Sequence, residues 1–241
     1  MHFMEGSLPI EWCIFWAVLS APFIIYGIWK LTGMIKENRR VLPLLAVSGA
    51  FIFVICALPV ETPVGCSHVT GTGLSTAFFG PGITSVLGLI VVLLQALLLG
   101  HGGLTTLGAT VFSLGIAGPF AAWFVFKGMR KAGKAGLGVS IFIAALVANL
   151  VTCIVASLQF ALAYSDFSSF AMFMSSCSSL FITSLLGYSF IQVPLAFIDG
   201  IICALIAKYI VRIKPEILKT LGVIKDDEIA KIQGEAEKDS M

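Results

Sequence analysis

Between Thr62 and Phe126 the chain carries no Asp, Glu, Lys or Arg. A stretch of that length without a charge has nothing to hold it in water. Apolar runs of about 20 residues cross a bilayer core as α-helices, because in hydrocarbon every backbone donor and acceptor must be satisfied within the segment. The remainder agrees, with 58% hydrophobic and 12% charged residues against roughly 25% charged in an average soluble domain. The fold class is an all-α, multi-pass protein of the plasma membrane, with the lipid bilayer as its first partner. A formal net charge of +2 gives no footing for a nucleic-acid partner.

Counting apolar runs gives about seven transmembrane helices. The first spans Pro9–Ile28, with Trp12, Trp16 and Tyr26 suited to its interfaces. Lys30, Lys36, Arg39 and Arg40 follow; by the positive-inside rule they are cytoplasmic and the N-terminus is outside. A second span, Val41–Val60, returns outward to a Gly-, Pro- and Thr-rich loop from Glu61 to Leu74. Third and fourth spans fall at Ile83–Leu99 and Leu104–Phe126. Four crossings leave Lys127, Arg130, Lys131 and Lys134 outside, against the same rule: either this loop is an exception or a crossing is missed before it. We keep four. Further spans at Val139–Leu162, Phe170–Leu186 and Ile191–Ile210 bring the C-terminus to the cytoplasm, ending in Lys208, Arg212 and Lys214. Residues 1–214 form the membrane domain, and 215–241, mixed in charge, a cytoplasmic tail.

The opening residues Met1-His2-Phe3-Met4-Glu5 suggest chemistry. A free Met1 amine, the His2 amide nitrogen and the His2 ring can close two chelate rings on one divalent ion, and a fourth nitrogen must come from another histidine. Planar all-nitrogen ligation suits Ni(II), Cu(II) or low-spin Co(II) better than Mg or Ca. A bulky second residue and the lack of a signal-peptide pattern predict that Met1 is retained; the alternative is a flexible terminus. His101, crowded by Gly100, Gly102 and Gly103, is either a polar packing residue or part of an ion route. Asp199, in an apolar setting after Pro194, needs a partner or a cavity, and structural and functional roles are both open. The six cysteines form no C-x-x-C pair and mostly sit in apolar runs, so they are read as small hydrophobes, without a zinc site or disulfides.

Gly128 to Ala135 nearly spells a phosphate-binding loop but ends in alanine where magnesium needs a hydroxyl. No hydrolase motif is present either, and Ser165–Ser179 reads as helix packing. The chain is therefore expected not to be an enzyme and to carry no ATPase of its own.

Met1 to Pro9, Ser67 to Leu74, Gly100 to Gly108 and Gly115 to Pro119 together resemble the CbiM/NikM family. Its members are the substrate-binding (S) membrane components of energy-coupling-factor (ECF) transporters for cobalt and nickel. The similarity runs from Met1 to about Ile210, and Met4-Glu5-Gly6 looks more like the cobalt members. The resemblance implies an ECF S-component-like bundle that captures Co2+ (or Ni2+) as transported substrate, with Met1, His2 and His68 as ligands. It implies supporting or entry-path positions at His101, Glu5, Thr70 and Asp199. It also implies a membrane coupling (T) subunit, a cytoplasmic ATPase pair and a small auxiliary membrane subunit. The competing readings are a nickel-specific subunit of the same type and a self-sufficient divalent-cation channel or secondary transporter. A membrane metalloenzyme is a weaker third, since Glu5 is the only acid to name near His68.

Overall fold

The computed structural model describes residues 2–62, 65–133, 136–213 and 215–224. The elements are α1 (Ile10–Glu37), α2 (Leu42–Cys56), a hairpin of β1 (Val60–Thr62) and β2 (Gly65–Ser67), and α3 (Thr72–Phe79). Then come α4 (Pro81–Leu94), which continues as a π-helical turn over Gln95–Leu99, and α5 (Leu107–Thr110). A second π segment over Val111–Ala117 joins α5 to α6 (Gly118–Ala132), followed by α7 (Leu137–Tyr164), α8 (Phe170–Ile213) and α9 (Pro215–Thr220).

Among the described residues five helical stretches are long and apolar enough to cross a membrane: α1, Pro81–Leu99, Leu107–Ala132, α7 and α8. The apolar α2 is shorter, at 15 residues. The widening of the turn before α6 has a local cause. Pro119 lacks the N–H that would bond the Gly115 carbonyl, so the preceding turn relaxes into π geometry. The Ser113 carbonyl, which the Gly118 N–H bonds across the widened turn, also accepts from Thr152 Oγ1 at 3.2 Å.

Two expectations need correction. The separate spans Phe170–Leu186 and Ile191–Ile210 are one helix, α8, of 44 residues and about 66 Å, longer than the roughly 30 Å hydrocarbon core. Pro194 lies inside it without ending it. Antiparallel α7 backs α8 across the junction of the two expected spans: Ser184 Oγ donates to Ser157 O, Asn149 bonds Asp199, and Gly200 lies against Phe142. With a partner helix packed there, no polar loop is needed between the halves.

The second correction concerns the basic loop. Lys127 and Arg130 line the same cavity of about 500 Å³ as Lys30, Glu37 and Gly80, so both basic clusters lie at one end of the bundle. The missed crossing is the segment around α3, which leaves the hairpin at the opposite end and reaches Gly80 through the interior. Every residue of α3 is buried, and with protein rather than lipid around it, eight residues suffice. Lys134 lies outside the described residues.

The main core packs α2, α3, α4 and α7 around Ile52, Phe78, Ile83 and Ile141. It extends past residue 214: Leu218 is fully buried, Val223 and Ile224 join the same cluster, and Arg130 Nη2 donates to Val223 O at 3.3 Å. Of the expected tail, residues 225–241 lie outside the described residues.

α3 fits because Gly73 carries no side chain: an added Cβ would overlap the backbone of Ala145 on α7. Gly73→Leu is therefore expected to lower stability by about 2–3 kcal/mol or more, read as a loss of thermal unfolding temperature in detergent. Gly128→Leu, with open space at its Cβ, should change it little.

Candidate metal centre

The N-terminal segment enters the bundle because its residues find partners there. Phe3 is buried beside Leu8, Trp16, Ala109 and Tyr188. Its amide donates to Thr110 Oγ1 at 3.4 Å, and its carbonyl accepts from Thr106 Oγ1 at 2.8 Å. Ser7 N–H donates to Met4 O at 3.1 Å across a turn in which Gly6 takes φ 74°, the left-handed region that suits glycine. Glu5 is exposed; its carboxylate accepts from Thr105 Oγ1 at 2.6 Å and from Thr105 N at 3.3 Å, and these bonds hold its pKa below the usual carboxylate range. An added Cβ on Gly103 would lie 2.8 Å from Glu5 Cα, so the glycines around His101 give the segment room to dock.

His2 forms an antiparallel bridge with Cys66, His2 N–H donating to Cys66 O at 3.3 Å and Cys66 N–H to His2 O at 3.4 Å. The pairing brings the His2 and His68 rings to a centroid distance of 4.5 Å, tilted by 31°. Both residues are buried, at 3% and 0% exposure. Burial pushes both imidazoles well below their ordinary pKa, so they are neutral near pH 7, the form a metal requires. Neither His2 ring nitrogen makes a hydrogen bond of ordinary geometry among the described residues, although buried polar groups are almost always bonded; the Gln95 side chain lies close enough to act weakly on the ring. His68 Nδ1 lies 2.9 Å from Val69 O. A proton held there leaves the lone pair on Nε2, the usual second-sphere arrangement of a metal-binding histidine.

One ligand atom from each of His2, Cys66 and His68 lies within 4.8 Å of the others. Cys66, buried as expected of a small hydrophobe, also has the two imidazoles close by. A signal was available, since residues two apart in an extended segment share a face and Cys66 stands two before His68. Met1 lies outside the described residues. His101 is half-buried at the rim of the site, close enough to His2 for its charge to add to the lowering of the His2 pKa, and its Nδ1 has no partner among the described residues.

Beneath the site lies a polar network that the sequence reading did not assemble. Asp199 is fully buried. It accepts from Thr70 Oγ1 and Gly71 N, each at 3.1 Å, from Cys203 Sγ at 3.4 Å and from Asn149 Nδ2. Gln192 Nε2 donates to Asn149 Oδ1 at 2.7 Å and to His68 O at 3.3 Å. Thr70 and Asp199 thus tie the His68 loop to α7 and α8.

A family model described as "Cobalt uptake substrate-specific transmembrane region" matches residues 2–217. A Methanocorpusculum labreanum chain named "Putative cobalt transport protein CbiM 2" is 66% identical over 98% of this chain and 100% of its own length. A similarly named Archaeoglobus fulgidus chain, "Putative cobalt transport protein CbiM", is 41% identical over 92% and 99%. A crystal structure of a transition metal transporter has the same fold, with a TM-score of 0.73, 21% identity and coverage of 90% of this chain and 95% of that one. Fold and site thus define an integral, multi-pass metal-transport protein of the cell membrane. The chain belongs to the CbiM family of cobalt uptake proteins.

Asp199→Ala leaves buried donors from Thr70, Gly71 and Asn149 without their acceptor, an expected cost of about 3 kcal/mol or more, measurable by thermal unfolding in detergent. A pH effect follows from the imidazoles. Their pKa values in the docked state lie below the ordinary 6.5, so an undocked segment binds more protons below that pH. Docking is fully stable above about pH 6.5 and is lost progressively as pH falls, which hydrogen exchange at the Phe3 amide should report.

Proposed function

We propose that the chain is the substrate-capture membrane subunit of an ATP-driven, ECF-type importer, binding Co2+ through the Met1 amine, the His2 imidazole and the His68 imidazole. The observation that carries the reading is the pair of neutral, buried rings facing each other with neither His2 nitrogen in a hydrogen bond of ordinary geometry among the described residues. A divalent late transition metal satisfies such nitrogens, whereas Mg and Ca favour oxygen. The His2 amide, first considered as a further ligand, donates to Cys66 O and would have to give up both that bond and its proton.

The site end of the bundle faces outward in this reading, because the opposite end carries Lys30, Lys127 and Arg130 and basic ends are cytoplasmic. The polar network below His68 closes the interior, with Asp199 fully buried and saturated by donors. An ion held above it therefore needs a change of shape to proceed, and a coupling subunit with an ATPase pair, joined in cobalt systems by a small auxiliary membrane subunit, supplies the energy. That closure favours a coupled subunit over a self-sufficient channel. Family membership favours cobalt over nickel.

Purified protein is expected to bind one Co2+ per chain. His2→Ala and His68→Ala should each weaken binding by a hundredfold or more, the cost of removing a primary ligand. One residue added before Met1 should do the same by displacing the amine. Calorimetry with the intact mass recorded checks this, and normal cobalt binding by the extended chain would rule out the amine as a ligand. Metal flux into vesicles holding this chain alone, without nucleotide, would favour the channel reading.

A further inference from the structure

The basic end of the bundle holds a cavity that capture of an ion does not use. It measures about 500 Å³, within the roughly 300–1,000 Å³ of small-molecule sites. It lies between the end of α1, α3, α6 and the segment after α9. Lys30, Lys127 and Arg130 line it against one carboxylate, that of Glu37. Lys30 Nζ stands 5.6 Å from the centroid of the Tyr26 ring, and Lys127 Nζ 4.4 Å from that of Trp123. Such cation–π contacts hold an ammonium group without cancelling its charge. Arg130 Nη2, donating to Val223 O at 3.3 Å, fastens the segment after α9 as the floor.

Two further features make this a place for an anion. Thr76, on the buried helix α3, lines the cavity and is 1% exposed, and its hydroxyl has no hydrogen-bond partner among the described residues. A helical threonine can return its hydroxyl to the carbonyl one turn back, and buried polar groups are almost always bonded; this donor is left to a group from outside the chain. Gly80, at φ 79°, turns the chain from α3 into the 14-residue α4 and also lines the cavity. The N-terminus of α4 therefore opens there, and its unpaired first-turn amides and positive dipole end favour negative charge.

The surroundings decide between a soluble anion and a lipid. A groove of about 470 Å³ shares Lys30, Met34 and Phe79 with the cavity and runs on past Trp29 and Ile83. Trp29 and Tyr26 are 71% and 42% exposed, the amphipathic rings of a membrane interface. A cationic chamber joined to an apolar groove at that depth matches a phosphate carrying acyl chains, and basic pockets between transmembrane helices at the cytoplasmic side take such headgroups.

We infer that this cavity seats the phosphate of an anionic phospholipid from the surrounding leaflet, with Lys30, Lys127 and Arg130 balancing its charge, the Thr76 hydroxyl donating to it, and the lipid chains lying in the adjoining groove. The bound lipid ties α1, α3 and α6 together at the end of the bundle opposite the histidines, so the inference stands or falls independently of the captured ion.

The full chain in detergent is titrated with phosphatidylglycerol, with phosphatidylcholine of the same acyl chains, and with inorganic phosphate. Native mass spectrometry counts retained lipid while thermal unfolding is followed in parallel. One phosphatidylglycerol per chain is expected to be retained and to raise the unfolding temperature, with phosphatidylcholine and inorganic phosphate doing neither. Lys30→Gln combined with Lys127→Gln, and separately Thr76→Val, should weaken phosphatidylglycerol binding about tenfold or more with helical content by circular dichroism unchanged. Lys208→Gln removes an exposed charge outside the cavity and should leave binding as it is. Equal retention of the two lipids overturns the site, and so does a loss with Lys208→Gln as large as with the cavity variants, which would report diffuse surface charge. Stabilisation by inorganic phosphate with no lipid retained overturns the lipid in favour of a soluble anion. Should the double lysine variant fail to fold, Thr76→Val decides alone: undiminished phosphatidylglycerol binding overturns the inference.

Discussion

The hydrocarbon around this bundle offers no hydrogen bonds, so the polar groups buried in it need partners from within the protein. The first residues of the chain meet that demand with backbone pairing to Cys66 and hydroxyl contacts from Thr106 and Thr110. The His68 loop meets it through Asn149, Gln192 and Asp199. Two strands of chain far apart in sequence are thereby held at one point. Among the described residues, the His2 ring nitrogens there make no hydrogen bond of ordinary geometry.

The same bonds give the site a mechanical character. His68 is not carried on a free loop: its carbonyl is held by Gln192 of α8, and the residues after it are held by Asp199 of α8. A shift of α8 along α7 breaks those bonds or carries the loop with it. The N-terminal half of the site belongs to a different part of the molecule, seated on α5 and the turn before it. In the importer reading proposed above, relative movement of these two parts would strain the His2–Cys66 bridge, change the distance between His2 and His68 and so release the ion.

Much of this architecture was legible in the residues. The apolar runs marked α1, α2, α4, the α5–α6 stretch and α7 near their observed positions, because lipid-facing helices must be apolar along their whole length. His2 and His68 stood out as rare titratable groups in a poorly charged chain. The α3 crossing was not legible: wrapped by other helices, it needs neither lipid-matching length nor a polar boundary. The conflict over Lys127 and Arg130 was its trace. The place of Cys66 beside His2 was not legible, because an isolated cysteine in an apolar protein has the composition of core filler and only its strand pairing puts it there. Asn149 and Gln192 carried no local pattern, since their partners lie on other helices.

By itself, then, the sequence determined the solvent of this protein, the number of long apolar helices to within the division of α8, and the histidines available to a metal. Those are properties of segments, set by transfer free energy and side-chain chemistry. Tertiary structure decided which residues meet: the docking of His2 against Cys66, the burial of α3, the continuity of α8 along α7, and the clamp of Asp199 on the His68 loop. Each depends on groups distant in the chain satisfying one another where water cannot, and that is settled only when the whole bundle is packed.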